Sequence, residues 1–358
     1  MKKFKHLIAV LIFVLLTCFV FSDWVYSENY ETEEEIDTTL KKIKTIDKSD
    51  SRIKVTKLET QENDLENKQT EKKLPYNQRA FYSDNKKYKG IANYDTDNMF
   101  ITFEFFDYNN NLIWKRDDLP FGRFIISNSG NVVEFVGETF PVILWFFDDK
   151  GEILNKYRNR YFFMGAGFIW TEDSKYFVCT GVNEVFCFLP DGKIKFNYKI
   201  ISEEIWSLHV VEDKIFAQTR SEDKDLYVLN FKGELLINVG LLRGKIYQIK
   251  KSRDNYILIM TSFCVLMDKG FKVFSEFKIT EEKMYLKEII PSPNGNLIII
   301  KYEGIGKSLF EGFIVLDKEG KLLARKEIVS NKLEIKFLNE SSFTINTDKF
   351  KYLVEVDN

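Results

Sequence analysis

FFDYNNNLIW from Phe105, FFDDKGEIL from Phe146, FLPDGKIKF from Phe188, LNFKGELLI from Leu229, LMDKGFKVF from Leu266 and LDKEGKLLA from Leu316 are six spellings of one phrase. Each is an apolar run, a short polar turn that usually carries Asp and Gly, and a second apolar stretch. The turn position held by Asn111, Gly151, Gly192, Gly233, Gly270 and Gly320 recurs at intervals of 40, 41, 41, 37 and 50 residues. One unit of that length is a four-stranded blade, and blades stack because none can bury its apolar face alone.

From Gln78 the units align in register: a short first strand, a polar turn, a second strand, a variable loop, a near-continuous apolar third strand, the Asp/Gly turn and a fourth strand. Leu144 to Phe147, Val185 to Phe188, Phe263 to Leu266 and Phe313 to Leu316 lack polar alternation, as a strand covered on both faces requires. A seventh unit starts near Leu333 and stops after its third strand, which leaves an edge bare. The available partner is Arg52 to Leu58, where Ile53 and Val55 alternate with Lys54 and Thr56. The expected architecture is therefore all-β: a β-propeller of seven four-stranded blades over residues 76–358, with six blades if the first unit merges with the last.

The units are similar to WD40-like and quinoprotein-like bacterial propellers, and the resemblance rests on repeat length and turn grammar. Asn111, Leu112, Ile113 and Trp114 resemble the end of a quinoprotein repeat, but the other copies lack the Trp. No unit has the Trp-Asp dipeptide of true WD40 repeats. The resemblance implies a fold and little chemistry, because a superfold hosts many functions.

Residues 1–22 have the grammar of an export segment: Lys2, Lys3 and Lys5, then an apolar stretch from Leu7 to Phe21, then a polar exit. As helix, that stretch reaches about 22 Å, short of a bilayer core of about 30 Å, which favours a cleaved signal over a membrane anchor. Residues 23–75 form a charged linker; from Glu31 to Pro75 there is neither aromatic residue nor Gly, too little apolar surface to offset ordering. Together these features predict an extracytoplasmic protein that meets a membrane only through an uncleaved N-terminal segment.

The chain's formal net charge is −2, and losing the three N-terminal lysines makes it more acidic, so no basic field points to nucleic acid. Past the N-terminal segment the chemistry-bearing residues are His209 and three thiols. No Cys-x-x-Cys pair, P-loop or Gly-x-Ser-x-Gly elbow accompanies them, so no catalytic residue, metal or cofactor is assigned. Cys179 and Cys187 flank Asn183 symmetrically, and a regular hairpin about that residue would set them opposite one another for a disulfide. The bland alternative is two small core residues on neighbouring strands.

The loops after the second and fourth strands share one face of the ring. Arg158, Arg160, Arg220, Arg243 and Lys307 fall there with Tyr161, a basic and aromatic rim suited to an anionic ligand or another protein; scattered solvated charge is the plainer reading. The expected role is a binding or scaffold module at the cell envelope. A hydrolase or lyase using loop carboxylates, or a structural component of an envelope assembly, are the alternatives.

Overall fold

The computed structural model describes residues 53–58, 75, 77–95, 100–137, 142–159, 167–200, 204–220, 225–240, 244–260, 263–278, 284–305, 309–328, 333–347 and 351–356. The export segment and most of the linker lie outside these residues. The described chain is a seven-bladed β-propeller in which every sheet has four antiparallel strands.

Blade 1 is Gln78–Tyr82, Tyr88–Asp95, Phe100–Asp107 and Leu112–Pro120; blade 2 is Gly122–Ile126, Val132–Val136, Val142–Phe147 and Ile153–Asn159. Blade 3 is Phe168–Trp170, Phe177–Thr180, Glu184–Phe188 and Ile194–Lys199. Blade 4 is Ile205–Val211, Lys214–Thr219, Leu226–Asn230 and Leu235–Val239, and blade 5 is Ile246–Ser252, Asn255–Met260, Phe263–Met267 and Val273–Lys278. Blade 6 is Met284–Pro291, Leu297–Ile305, Leu309–Asp317 and Leu322–Ile328. Blade 7 takes Glu334–Phe337, Ser342–Asn346 and Lys351–Val356 from the end of the chain and Ile53–Leu58 from its beginning, with Ile53 opposite Val356 and Leu58 opposite Lys351.

The first strands of blades 1 to 6 lie side by side and line the axis. In blade 3 the second and third strands are buried on both faces, Phe177–Thr180 and Val185–Phe188, whereas Ile153–Asn159 of blade 2 alternates half-buried with exposed residues, as a rim strand should. The core is therefore divided into seams. One apolar cluster fills each seam from blades 1 and 2 through to blades 6 and 7, such as Phe103, Phe105, Trp114, Phe124 and Phe147 in the first. Hydrogen bonds between neighbouring first strands add to this: Trp170 Nε1 donates to the Ile125 carbonyl at 3.3 Å, and the Ile289 amide donates to Gln248 Oε1 at 3.0 Å.

The repeated phrase is the turn between third and fourth strands. Asp148 Oδ1 accepts from the amides of Lys150 and Glu152 at 2.9 and 2.8 Å, and the Gly151 amide donates to the Asp148 carbonyl at 3.2 Å. Asp107, Asn230, Asp268 and Asp317 repeat the pattern, which closes a bulged turn without help from the rest of the fold. The residue with left-handed backbone is Asn110, Gly151, Gly192, Gly233, Phe271 and Gly320 in turn. Two expected positions thus shift by one, from Asn111 to Asn110 and from Gly270 to Phe271, because the turn is counted from its Asp. The corrected residues are spaced 41, 41, 41, 38 and 49 apart.

Glycine is needed at this position where the turn lies against the preceding blade. A Cβ on Gly151, at φ 81°, would lie 2.7 Å from Trp114 Cδ2. Gly151→Ala is expected to destabilise the protein by about 1–3 kcal/mol through backbone strain and overpacking. Urea unfolding checks this; an unchanged midpoint would contradict the packing described.

The possible disulfide is not made, and the other reading, two small core residues on neighbouring strands, is the one the structure bears out. The hairpin turns at Gly181 to Glu184, where the Gly181 amide donates to the Glu184 carbonyl at 2.7 Å, one residue away from symmetry about Asn183. Cys179 therefore stands opposite Phe186, and Cys187 opposite Val178. A slip of one residue reverses faces, so Cys179 packs in the seam of blades 2 and 3 and Cys187 in that of blades 3 and 4. Both are free buried thiols, and burial pushes the Cys187 thiol up to about 12.

Candidate functional site

Strand direction fixes what each face of the ring presents. First and third strands start, and second and fourth strands end, on the face carrying the variable loops; the tight turns occupy the other face. On the turn face, polar groups bond one another across blades: the Asn85 amide donates to Asn128 Oδ1 at 2.9 Å, and Asn128 Nδ2 donates to the Glu172 carbonyl at 3.0 Å.

Of the predicted rim, Arg160, Tyr161, Arg243 and Lys307 lie outside the described residues. Arg158 is exposed near the end of the fourth strand of blade 2, and Arg220 is exposed just past the second strand of blade 4. Both belong to the loop face. Arg220 Nη1 reaches Glu204 Oε2 at 3.6 Å, an exposed pair of little energetic weight. Among the described residues no carboxylate forms an ion pair with Arg158.

Two arginines that sequence reasoning passed over stand nearer the axis. Arg79 and Arg123 are each near the start of a first strand, in blades 1 and 2. Ala80 opposes Ile91 and Phe124 opposes Glu134 in the corresponding pairings, so the two arginines occupy equivalent heights on adjacent strands, Arg79 on the face of blade 1 toward blade 2 and Arg123 on the face of blade 2 toward blade 3. Both are exposed, and among the described residues neither is ion-paired. Tyr94, at the end of the second strand of blade 1, lies beside them: the Arg79 guanidinium sits 5.6 Å from the ring centroid, and the hydroxyl donates to the Gly122 carbonyl at 3.4 Å. Phe121 packs on the same ring at 5.5 Å. Burial raises the Tyr94 phenol above its usual range, against the pull of Arg79 and Arg123.

Beneath this mouth is Glu134, in the middle of the second strand of blade 2 and wholly buried. Neither carboxyl oxygen has a hydrogen-bond partner, and the buried indole nitrogens of Trp114 and Trp145 in the same seam also lack one. A Cβ on Gly122 would come within 2.9 Å of Glu134 Oε1, so the absence of a side chain there makes room for the carboxyl. Trp145 is the cross-strand neighbour of Glu134 and Lys156 that of Trp145; the Lys156 ammonium lies 3.5 Å from the Trp145 ring centroid and covers the indole from the rim. Burial pushes the Glu134 carboxyl up to about 8, against the lowering effect of Arg116 and Lys156, with Asp118 adding to the rise. At neutral pH it is a protonated acid that can donate a hydrogen bond.

This is particular to one blade. Three residues beyond the carbonyl that accepts from Ser83, Ser127, Thr171 or Ser292, the second strand holds Ile91, Glu134, Cys179 and Ile300 respectively. The signal visible in the sequence is a lone charge inside the apolar run VVEFV.

His209 is structural. Its Nε2 lies 3.1 Å from the Ile246 carbonyl of the next blade, and burial lowers its pKa, so the neutral ring donates across the seam. Among the described residues no group of three or more His, Cys, Asp or Glu could hold a metal ion.

The chain matches no family model, and no curated protein matches it. Solved structures do resemble it. BamB from Moraxella catarrhalis superposes with a TM-score of 0.51 at 12% identity, over 77% of this chain and 84% of that one. The C-terminal WD40 domain of Sif2 gives 0.50 at 11%, over 78% and 81%, and a eukaryotic initiation factor gives 0.52 at 11%, over 75% and 70%. At these identities the likeness establishes the propeller fold and nothing finer.

Proposed function

We propose that this β-propeller is an exported binding module that holds an anionic ligand or an acidic segment of another protein on its loop face at the cell envelope. The observation that carries the reading is the contrast between the faces. Polar groups of the turn face bond across blades, while the loop face presents Arg79, Arg123 and Arg158, which have no carboxylate partner among the described residues. Arginine is the side chain best suited to hold a carboxylate or phosphate in fixed orientation. Arg160, Arg243 and Lys307 extend the rim in the sequence, with Tyr161 as its apolar contact. The N-terminal segment supplies export, and residues 23–75 supply reach if that segment is retained as an anchor.

Fractionation of the native cells together with affinity capture tests this. The expected result is a protein outside the cytoplasm that retains a partner at low salt and releases it as salt rises, since exposed charge contacts are screened. A cytoplasmic full-length product, or capture indifferent to salt, would overturn it.

A further inference from the structure

We propose that Arg79, Arg123 and Tyr94 form an oxyanion site at the loop-face mouth of the axis, beside the first strands of blades 1 and 2, and that the proton on Glu134 controls it. This rests on the loop-face reading above and names the place and the ligand chemistry.

Two guanidinium groups on adjacent first strands provide donors in fixed forks that match the oxygens of a carboxylate, sulfate or phosphate. Among the described residues no carboxylate forms an ion pair with either. Tyr94 joins them to the seam below, because its hydroxyl is held on Gly122, the residue whose missing side chain accommodates Glu134.

The control follows from charge. Glu134 interacts with Tyr94 and, on the rim side, with Arg116 and Asp118 of the fourth strand of blade 1 and Lys156 of the fourth strand of blade 2. While it keeps its proton, the mouth carries the two arginine charges alone. Once ionised, its negative charge acts through a medium of low dielectric on the space where an anion sits and weakens binding. By linkage, a bound anion holds the proton more tightly. An acid placed where other blades carry Ile or Cys departs from local packing rules in the way functional positions do.

The test is calorimetric titration of the mature chain with inorganic sulfate, whose charge is constant with pH, and separately with hexaglutamate. At least one probe is expected to saturate at pH 7. Its affinity should fall about tenfold in Arg79→Gln and in Arg123→Gln, as for loss of a charged hydrogen bond. In the unsubstituted protein it should weaken roughly fivefold between pH 7 and pH 9, and this decline should be absent in Glu134→Gln. Preference for sulfate assigns a small free anion, and preference for hexaglutamate assigns a carboxylate-bearing chain. Failure of both probes to saturate, or affinities indifferent to both arginine substitutions, overturns the site; an equal decline in Glu134→Gln overturns the control. If the double arginine variant keeps a salt-sensitive partner, the loop-face reading stands and this site does not.

Discussion

Replacing Glu134 with glutamine is expected to leave stability unchanged near pH 4 and to raise it by roughly 3–5 kcal/mol at pH 8. The carboxyl is raised from its ordinary 4.5 to about 8 in the folded protein, chiefly by burial. Below 4.5 it is protonated in both folded and unfolded chains and contributes no pH dependence. Between 4.5 and about 8 the unfolded chain releases the proton while the folded chain keeps it, so the folded protein binds more protons and its stability falls as pH rises, by about 1.4 kcal/mol per unit. Above about 8 both forms are ionised and the loss levels off. Glutamine keeps the shape and one buried polar group but has no proton to release. The difference between the two urea-unfolding profiles isolates this residue from every other titrating group. Parallel profiles from pH 4 to pH 9 would show that Glu134 ionises freely in the fold, and the dry seam would be wrong.

Removal of residues 52–58 is the second large effect. Within this segment Ile53–Leu58 supplies the fourth strand of blade 7, and without it Lys351–Val356 becomes an open edge. The six-residue ladder, with about six backbone hydrogen bonds, contributes roughly 3–9 kcal/mol if each is worth about 0.5–1.5 kcal/mol net. Val354 and Val356 pack in the seam with blade 6 and would be loosened further. A bare edge also recruits strands from other chains. The shortened protein should therefore unfold at markedly lower urea and show concentration-dependent association in size-exclusion chromatography. A monomer with an unchanged midpoint would mean that the pairing does not hold the ring.

How much of this was legible follows from what each feature depends on. The Asp/Gly phrase is local: the Asp accepts amides two and four residues on, and its spacing reports blade length directly. Blade count and strand order followed from it, with an error of one residue at Asn110 and Phe271, where the left-handed residue is not glycine. Phe271 tolerates that backbone while its ring stacks on Tyr256 at 5.2 Å. Face assignment is harder, because it depends on register. The turn between Cys179 and Cys187 is off-centre by one residue, which sends the two thiols into different seams. Glu134 was visible as a charge in an apolar strand, but its unpartnered state depends on Gly122 and Trp145, which reach it only through strand pairing. Arg79 and Arg123 left no pattern in the sequence, since their relation is equal height on neighbouring first strands 44 residues apart. Arg158 and Arg220 were placed on the loop face from topology alone, and the structure puts them at strand ends of that face.

Amide hydrogen exchange of the protein, with and without saturating sulfate or hexaglutamate, tests the central claim most directly. The account predicts added protection at the strand starts around Arg79 and Arg123 and at the strand end around Tyr94, with the turns at Asp148 to Gly151 unchanged. Protection confined to the turn face, or spread evenly over all blades, would contradict binding at the axial mouth of the loop face.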